Sequence, residues 1–88
     1  MSGGIAIVGA GYVGVPLAQV FAEAGHSVLL LDVDSDRVEQ LNRGESYIED
    51  VPSEALGRLV RDHGLRATTD YDELHERDAI LKIGRAHV

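Results

Sequence analysis

The stretch that decides the fold is residues 5–14, IAIVGAGYVG, near the start of the 88-residue chain. Its first four residues are an apolar run with β-branched side chains, which predicts a short strand buried on both faces. Gly9, Gly11 and Gly14 follow at once, and a helical pattern of apolar residues comes next. In the order strand, GxGxxG, helix, this spacing predicts a dinucleotide-binding loop.

Each glycine of the loop has its own physical role in such a site. Gly9 permits the tight turn out of the strand, and Gly11 lets a pyrophosphate approach the backbone because it has no side chain. Gly14 lets the helix pack closely against the strand. The start of the helix offers free N–H groups and the positive end of its dipole to phosphates. No basic side chain is required, which suits a chain of net charge −7.

The second strand ends in the acidic residue that this type of site requires. An apolar run over residues 27–31 is closed by Asp32, 18 residues after Gly14. A carboxylate there accepts hydrogen bonds from the adenosine ribose hydroxyls and repels a 2′-phosphate, so NAD is favoured over NADP. The nearby cation Arg37 weakens that preference slightly, and FAD proteins, which commonly place Glu at this point, stay an alternative. We predict that Asp34 or Ser35 caps the next helix, and that Asp34 is a cap and not a ligand.

The first helix has a predicted inward face. Its apolar residues are spaced by four, three, one and three positions, as on one side of an amphipathic helix. They are Val13, Leu17, Val20, Phe21 and Ala24. We therefore expect these five side chains to pack on the sheet, with the polar side of the helix in solvent.

Strand and helix patterns alternate along the rest of the chain. Two helices follow the second strand, and then come a short strand near residues 66–69, a brief helix begun by Asp70, and an apolar run at residues 79–81. Such alternation predicts an α/β fold with a Rossmann-type, doubly wound parallel sheet, here truncated after about four strands. We assign residues 1–81 to this incomplete N-terminal domain.

The last residues break the pattern. Residues 82–88, KIGRAHV, do not continue the apolar strand expected after residue 81. Residues 83–88 match one reading frame of a widely used DNA-sequencing adapter. We therefore predict that residues 82–88 are a non-native tail and leave them out of the fold.

Composition and charge argue against several classes of function. The chain has no Cys, so it offers no disulfide, thiolate metal site or cysteine nucleophile. Its net negative charge disfavours nucleic acid and anionic membranes as partners. The four His residues lack metal-ligand spacing, so we predict no metal site. No long apolar run or secretory signal is present, and we expect a cytoplasmic protein.

Beyond the glycine loop, the sequence resembles the UDP-glucose/GDP-mannose dehydrogenase family. The resemblance begins with GYVGVP at residues 11–16 and continues with LNRGES at residues 41–46. The blocks YIEDV at residues 47–51 and RATTDY at residues 66–71 are similar to the branch that oxidises UDP-N-acetylglucosamine or UDP-glucose. The likeness covers residues 4 to about 81.

The resemblance implies an activity for the complete protein. It would be an NAD-dependent, homo-oligomeric dehydrogenase that oxidises the C6 alcohol of a UDP-sugar to a carboxylate with two NAD, through a thiohemiacetal on a Cys. In this family Asp32 would bind the adenosine ribose, and Arg37 would contact the adenosine end. Tyr12 and Val13 would add backbone contacts beside the pyrophosphate.

This chain contains none of the family's catalytic residues, so we expect the 88 residues alone to be inactive and to bind NAD weakly. Two other interpretations stay open at this point. One is the NAD-binding domain of another dehydrogenase, of the hydroxyacyl-CoA or 6-phosphogluconate type. The other is a non-catalytic NAD-sensing module.

Overall fold

The structure is a computed structural model that describes residues 4–11 and 13–82. Within these ranges four parallel strands form one sheet in the order β3-β2-β1-β4: β1 (Ile5–Val8), β2 (Val28–Leu31), β3 (Arg66–Thr68) and β4 (Ala79–Lys82). The connections contain α1 (Gly14–Glu23), α2 (Ser35–Asn42), α3 (Ser53–Asp62) and a 3₁₀ helix (Tyr71–Glu76). The predicted order of elements and the α/β class are confirmed. None of the helices in these ranges is long and apolar enough to cross a membrane.

Both faces of the sheet are covered, as in a doubly wound fold. Side chains alternate along a strand, so Ile7 and Leu30 face the main core with residues of α1, α2 and α3. Ala6 and Leu29 face the other side, where Leu74 of the 3₁₀ helix packs against them. All four of these strand residues are fully buried. The central strands β1 and β2 are therefore buried on both faces, as their apolar sequences predict.

The strand order places a topological switch point beside β1. The chain runs outward from β1 to β2 and β3, and then crosses back to form β4 on the other side of β1. In open parallel sheets, ligands bind outside the carboxyl ends of the strands at such a point. Val8 pairs with Lys82 at this end of the sheet, so the glycine loop that follows Val8 lies there.

Lys82 therefore lies within β4, at the first position of the predicted non-native tail. Residues 83–88 are outside the described residues. The tail of residues 82–88 stays a prediction.

The predicted inward face of α1 is only partly right: Leu17 and Phe21 pack against the core, whereas the other three predicted residues do not. Val13 and Val20 are 59% and 62% exposed, and Ala24 is exposed as well. The buried residues of α1 are instead Gly14, Val15, Ala18 and Ala22. The physical reason is that Gly14 packs directly on the backbone of Gly9, and Ala18 and Ala22 continue the same side of the helix at intervals of four residues. Val13 and Val20 lie away from this side and are exposed, while Val15 lies in the core.

The free edge of β3 is partly closed by a side chain. Asn42, the last residue of α2, donates from Nδ2 to the carbonyl oxygen of Ala67 and accepts at Oδ1 from the Ala67 N–H, both at 2.9 Å. The amide thus satisfies both backbone groups of Ala67, as a neighbouring strand would. An edge strand with its backbone groups occupied is a poorer template for pairing with another chain.

We expect the substitution Asn42→Ala to lower the free energy of unfolding by about 1–3 kcal/mol, because it leaves two backbone groups of a buried residue without partners. Urea unfolding followed by far-UV circular dichroism measures this change. Glu39→Ala, at an exposed position on the same helix, is the control and should change stability little. Equal urea midpoints for the two variants would show that Asn42 does not stabilise the edge.

Candidate functional site

The glycine loop begins with a turn that only glycine adopts readily. Gly9 has a φ of 111°. Its N–H donates to the carbonyl oxygen of Leu31 at 2.8 Å, so the ladder between β1 and β2 continues one residue beyond the strand. The chain then turns sharply toward α1. The structure therefore places Gly9 where the tight turn out of β1 occurs.

Gly14 is the first residue of α1 and lies against the start of the loop. A Cβ atom at this position would overlap the carbonyl oxygen of Gly9 and lie 3.1 Å from its carbonyl carbon. Both atoms belong to the backbone, so neither can move aside as the end of a flexible side chain would. The close packing of α1 on β1 therefore requires glycine at position 14.

Gly11 differs from every other glycine in the part of the chain that the structure describes. A Cβ atom at Gly11 would meet no heavy atom within 4 Å, and its φ is not in the left-handed region. The others have either a positive φ or a close neighbour: Gly4, Gly9, Gly14, Gly25, Gly44, Gly57 and Gly64. The packing of the chain does not require glycine at position 11. The open space over its backbone fits a pyrophosphate.

In the part of the chain that the structure describes, no side chain caps the amino end of α1, whereas a carboxylate caps the amino end of α2. The N-cap of α1 is Val13, which makes no side-chain capping bond, and the first turn contains no acidic residue. At α2, by contrast, the Asp34 carboxylate accepts from the N–H groups of Asp36 and Arg37, which confirms the predicted cap. Among the described residues, no side chain caps this end of α1, although the Val15 N–H donates to the Gly11 carbonyl oxygen at 3.1 Å and Pro16 has no N–H. The positive end of the helix dipole at such a start favours an anion.

Asp32 directly follows β2 and connects that strand to the glycine loop. Its Oδ2 accepts from the N–H of Ala10 and its Oδ1 from the N–H of Asp34, both at 3.0 Å. The side chain is only 12% exposed. Each carboxylate oxygen can accept more than one hydrogen bond, so both retain capacity for a ligand. This arrangement suits a pair of ribose hydroxyls.

Arg37 and Tyr47 lie beside this carboxylate. Arg37 Nη1 is 3.6 Å from Asp32 Oδ2, and the guanidinium carbon is 5.2 Å from the centroid of the Tyr47 ring. The Tyr47 hydroxyl donates to the carbonyl oxygen of Ala10 at 2.6 Å. Burial raises the pKa of Tyr47 to about 12, although the nearby Arg37 charge opposes this shift. The hydroxyl is therefore protonated at neutral pH and able to donate.

The structure brings the predicted residues that it describes around one site at the carboxyl end of the sheet: Gly9, Gly11, Val13, Gly14, Asp32 and Arg37. Tyr12 lies outside the described residues. Sequence reasoning missed Ala10 and Tyr47, whose contact links the loop to the segment between α2 and α3. The local signal for Tyr47 is an aromatic residue in the connection between α2 and α3, beside the buried Ile48 and Val51.

The fold and site define the class of this protein: it is a Rossmann-type dinucleotide-binding domain. Comparison with known families makes the assignment specific. Residues 3–84 match the UDP-glucose/GDP-mannose dehydrogenase family, NAD binding domain. The chain belongs to this family, and its cofactor is NAD. The resemblance drawn from the glycine loop and the later blocks is thereby confirmed, in place of the hydroxyacyl-CoA and 6-phosphogluconate types.

Individual relatives agree with this assignment. A UDP-glucose 6-dehydrogenase of Haloferax volcanii is 44% identical over 75 residues, which are 85% of this chain and 17% of that protein. The structure of a GDP-mannose dehydrogenase from Pseudomonas aeruginosa matches with a TM-score of 0.82 at 34% identity, over 92% of this chain and 19% of that one. A UDP-glucose dehydrogenase from Pyrobaculum islandicum matches with a TM-score of 0.79 at 34% identity, over 93% and 19%. The chain thus spans less than one fifth of each relative.

Proposed function

We propose that this chain is the NAD-binding portion of a nucleotide-sugar 6-dehydrogenase that oxidises the C6 alcohol of a UDP-sugar to a carboxylate with two NAD. Family membership supports the reaction class, and the Haloferax volcanii relative is named a UDP-glucose 6-dehydrogenase. The blocks at residues 47–51 and 66–71 favour UDP-N-acetylglucosamine slightly over UDP-glucose. In this proposal residues 1–81 are the N-terminal domain, and the catalytic groups lie in the rest of a longer, homo-oligomeric, cytoplasmic protein.

The observation that carries the proposal is the position of the Asp32 carboxylate next to the open backbone of the glycine loop. Bound NAD would supply the hydride acceptor. The residues of this chain would bind and orient it. Asp32 would accept hydrogen bonds from the ribose hydroxyls and repel a 2′-phosphate, and Gly11 with the first turn of α1 would receive the pyrophosphate.

We expect Asp32→Asn to weaken NAD binding by about tenfold, because hydrogen bonds to a charged group contribute roughly 1.5–3 kcal/mol each and the amide replaces two acceptor oxygens with one. Titration of the 88-residue chain with NAD, followed by NMR chemical shifts, measures even weak affinities. Asp36→Asn is the matched control, since Asp36 is exposed in the first turn of α2. Equal Kd values for the two variants would contradict the assigned role of Asp32.

The activity proposed for the complete protein is tested by sequencing the source DNA and assaying the protein expressed from the full reading frame. We expect the source DNA to continue in frame beyond codon 81 with an apolar strand, a Val-Pro-Thr-Pro-like motif and, much later, a Cys in a glycine-rich loop. The protein expressed from that reading frame should form two NADH per molecule of UDP-N-acetylglucosamine or UDP-glucose. A natural gene that stops at codon 88 would refute the enzyme proposal and leave the NAD site of the domain intact.

A further inference from the structure

Two side chains hold the backbone of Ala10, the buried residue between the first two glycines of the loop. The Ala10 N–H donates to Asp32 Oδ2 at 3.0 Å, and the Ala10 carbonyl oxygen accepts from the Tyr47 hydroxyl at 2.6 Å. Asp32 is the acidic residue that the motif requires at the end of β2. Tyr47 lies between α2 and α3, in a segment to which the motif assigns no role.

The carbonyl group that Tyr47 holds shares a peptide group with the Gly11 N–H. This peptide group is trans and planar, so its C=O and its N–H point in opposite directions. The bond to Tyr47 therefore turns the Gly11 N–H away from the tyrosine. Within residues 4–11 and 13–82 no group accepts a hydrogen bond from this N–H, which leaves it available to a ligand.

The loop needs such a bond because glycine restricts the backbone very little. Gly11 has no Cβ, and apart from its two chain neighbours no described atom would lie within 4 Å of one. Neither Gly11 nor its surroundings therefore hold the preceding peptide group in one orientation. A loop that becomes ordered only when its ligand binds loses affinity by the free energy of that ordering. A hydrogen bond already formed in the free protein removes part of this loss.

We propose that Tyr47 is a positioning residue for the cofactor pyrophosphate: its hydroxyl holds the Ala10–Gly11 peptide group in the orientation that receives the phosphates. This inference rests on the NAD site proposed above. Because burial raises the pKa of Tyr47 to about 12, the hydroxyl keeps its proton at neutral pH. Asp32 bonds to the other side of Ala10, so the ribose half of the site does not depend on the tyrosine.

Tyr47→Phe removes the hydroxyl and keeps the ring. We expect the Kd for NAD to rise about fivefold, which corresponds to about 1 kcal/mol, a typical net contribution of one neutral hydrogen bond. ADP contains the pyrophosphate, and its Kd should rise by the same factor. Adenosine contains the ribose but no phosphate, and it should bind the unmodified and the Tyr47→Phe chains equally. NMR chemical shifts follow all three titrations, and a merely structural role of Tyr47 would weaken ADP and adenosine alike.

Asn42→Ala is the control for loss of stability, since it removes hydrogen bonds at the edge of β3 and should leave the Kd for NAD unchanged. The ¹³C shift of the Ala10 carbonyl in the free chain should change in Tyr47→Phe and stay constant in Asn42→Ala. The proposal is overturned if Tyr47→Phe leaves the Kd for ADP unchanged, or if adenosine weakens by the same factor as ADP. Failure of the NAD site itself gives a different result, because the unmodified chain would then bind neither NAD nor ADP.

Discussion

Replacement of Gly14 by alanine is expected to lower the free energy of unfolding of this chain by about 3 kcal/mol or more. The added methyl group would overlap the carbonyl oxygen of Gly9, and the clash involves backbone on both sides. Relief requires α1 to move away from β1, which opens the core around Val15 and Ala18. Overpacking of a core typically costs 1–3 kcal/mol, and a clash with rigid backbone falls at or above about 3 kcal/mol. A domain of this length has only about 4–13 kcal/mol of stability in total.

Far-UV circular dichroism during urea unfolding measures the effect of Gly14→Ala. The matched control is Gly57→Ala, which also replaces a glycine within a helix. A Cβ at Gly57 meets only the flexible end of Arg61 within 3.4 Å, and alanine is the better helix former. Gly57→Ala should therefore retain or increase stability. If Gly14→Ala unfolds at the same urea concentration as this control, the close contact between α1 and β1 is not essential.

Replacement of Gly11 by alanine is expected to have the opposite effect: the fold is kept and NAD binding is lost. Apart from the two chain neighbours of Gly11, a methyl group there meets no atom of the described residues within 4 Å, and the φ of Gly11 is not in the left-handed region that disfavours alanine. Such a substitution stabilises a chain by roughly 0.4–1 kcal/mol through the unfolded state. In the proposed NAD site, the methyl group would occupy the space through which the pyrophosphate approaches the backbone. We expect NAD affinity to fall at least about tenfold, which corresponds to 1.4 kcal/mol of binding free energy.

NMR titration with NAD and urea unfolding of the same Gly11→Ala sample separate the two effects. Gly57→Ala again serves as the control, since it lies on α3, and its NAD affinity should equal that of the unmodified chain. Unchanged NAD affinity in Gly11→Ala would mean that the pyrophosphate does not approach this residue. A large loss of stability would mean that Gly11 is required by the fold and not by the ligand.

Much of the fold follows from local sequence. The apolar runs of β1 and β2 predict their burial on both faces, since nearly every residue in them is apolar whichever face it takes. Asp34 is predictable as a cap because its carboxylate bonds to N–H groups only two and three residues ahead. Hydrophobicity predicted only part of the inward face of α1, namely Leu17 and Phe21. A helix that must approach a strand backbone closely buries small residues such as Ala18, and Val13 and Val20 then point outward.

The sequence by itself determined the order of strands and helices, the turn at Gly9, and the position of Asp32 at the end of β2. These features depend on backbone preferences and apolar patterns within a few residues of one another. Only the tertiary structure decided that Tyr47 bonds to Ala10, 37 residues away, and that the Arg37 guanidinium lies over its ring. Those contacts depend on how the segment after α2 packs against the glycine loop. No local pattern specifies that packing, because its free energy comes from burial shared among all the elements involved.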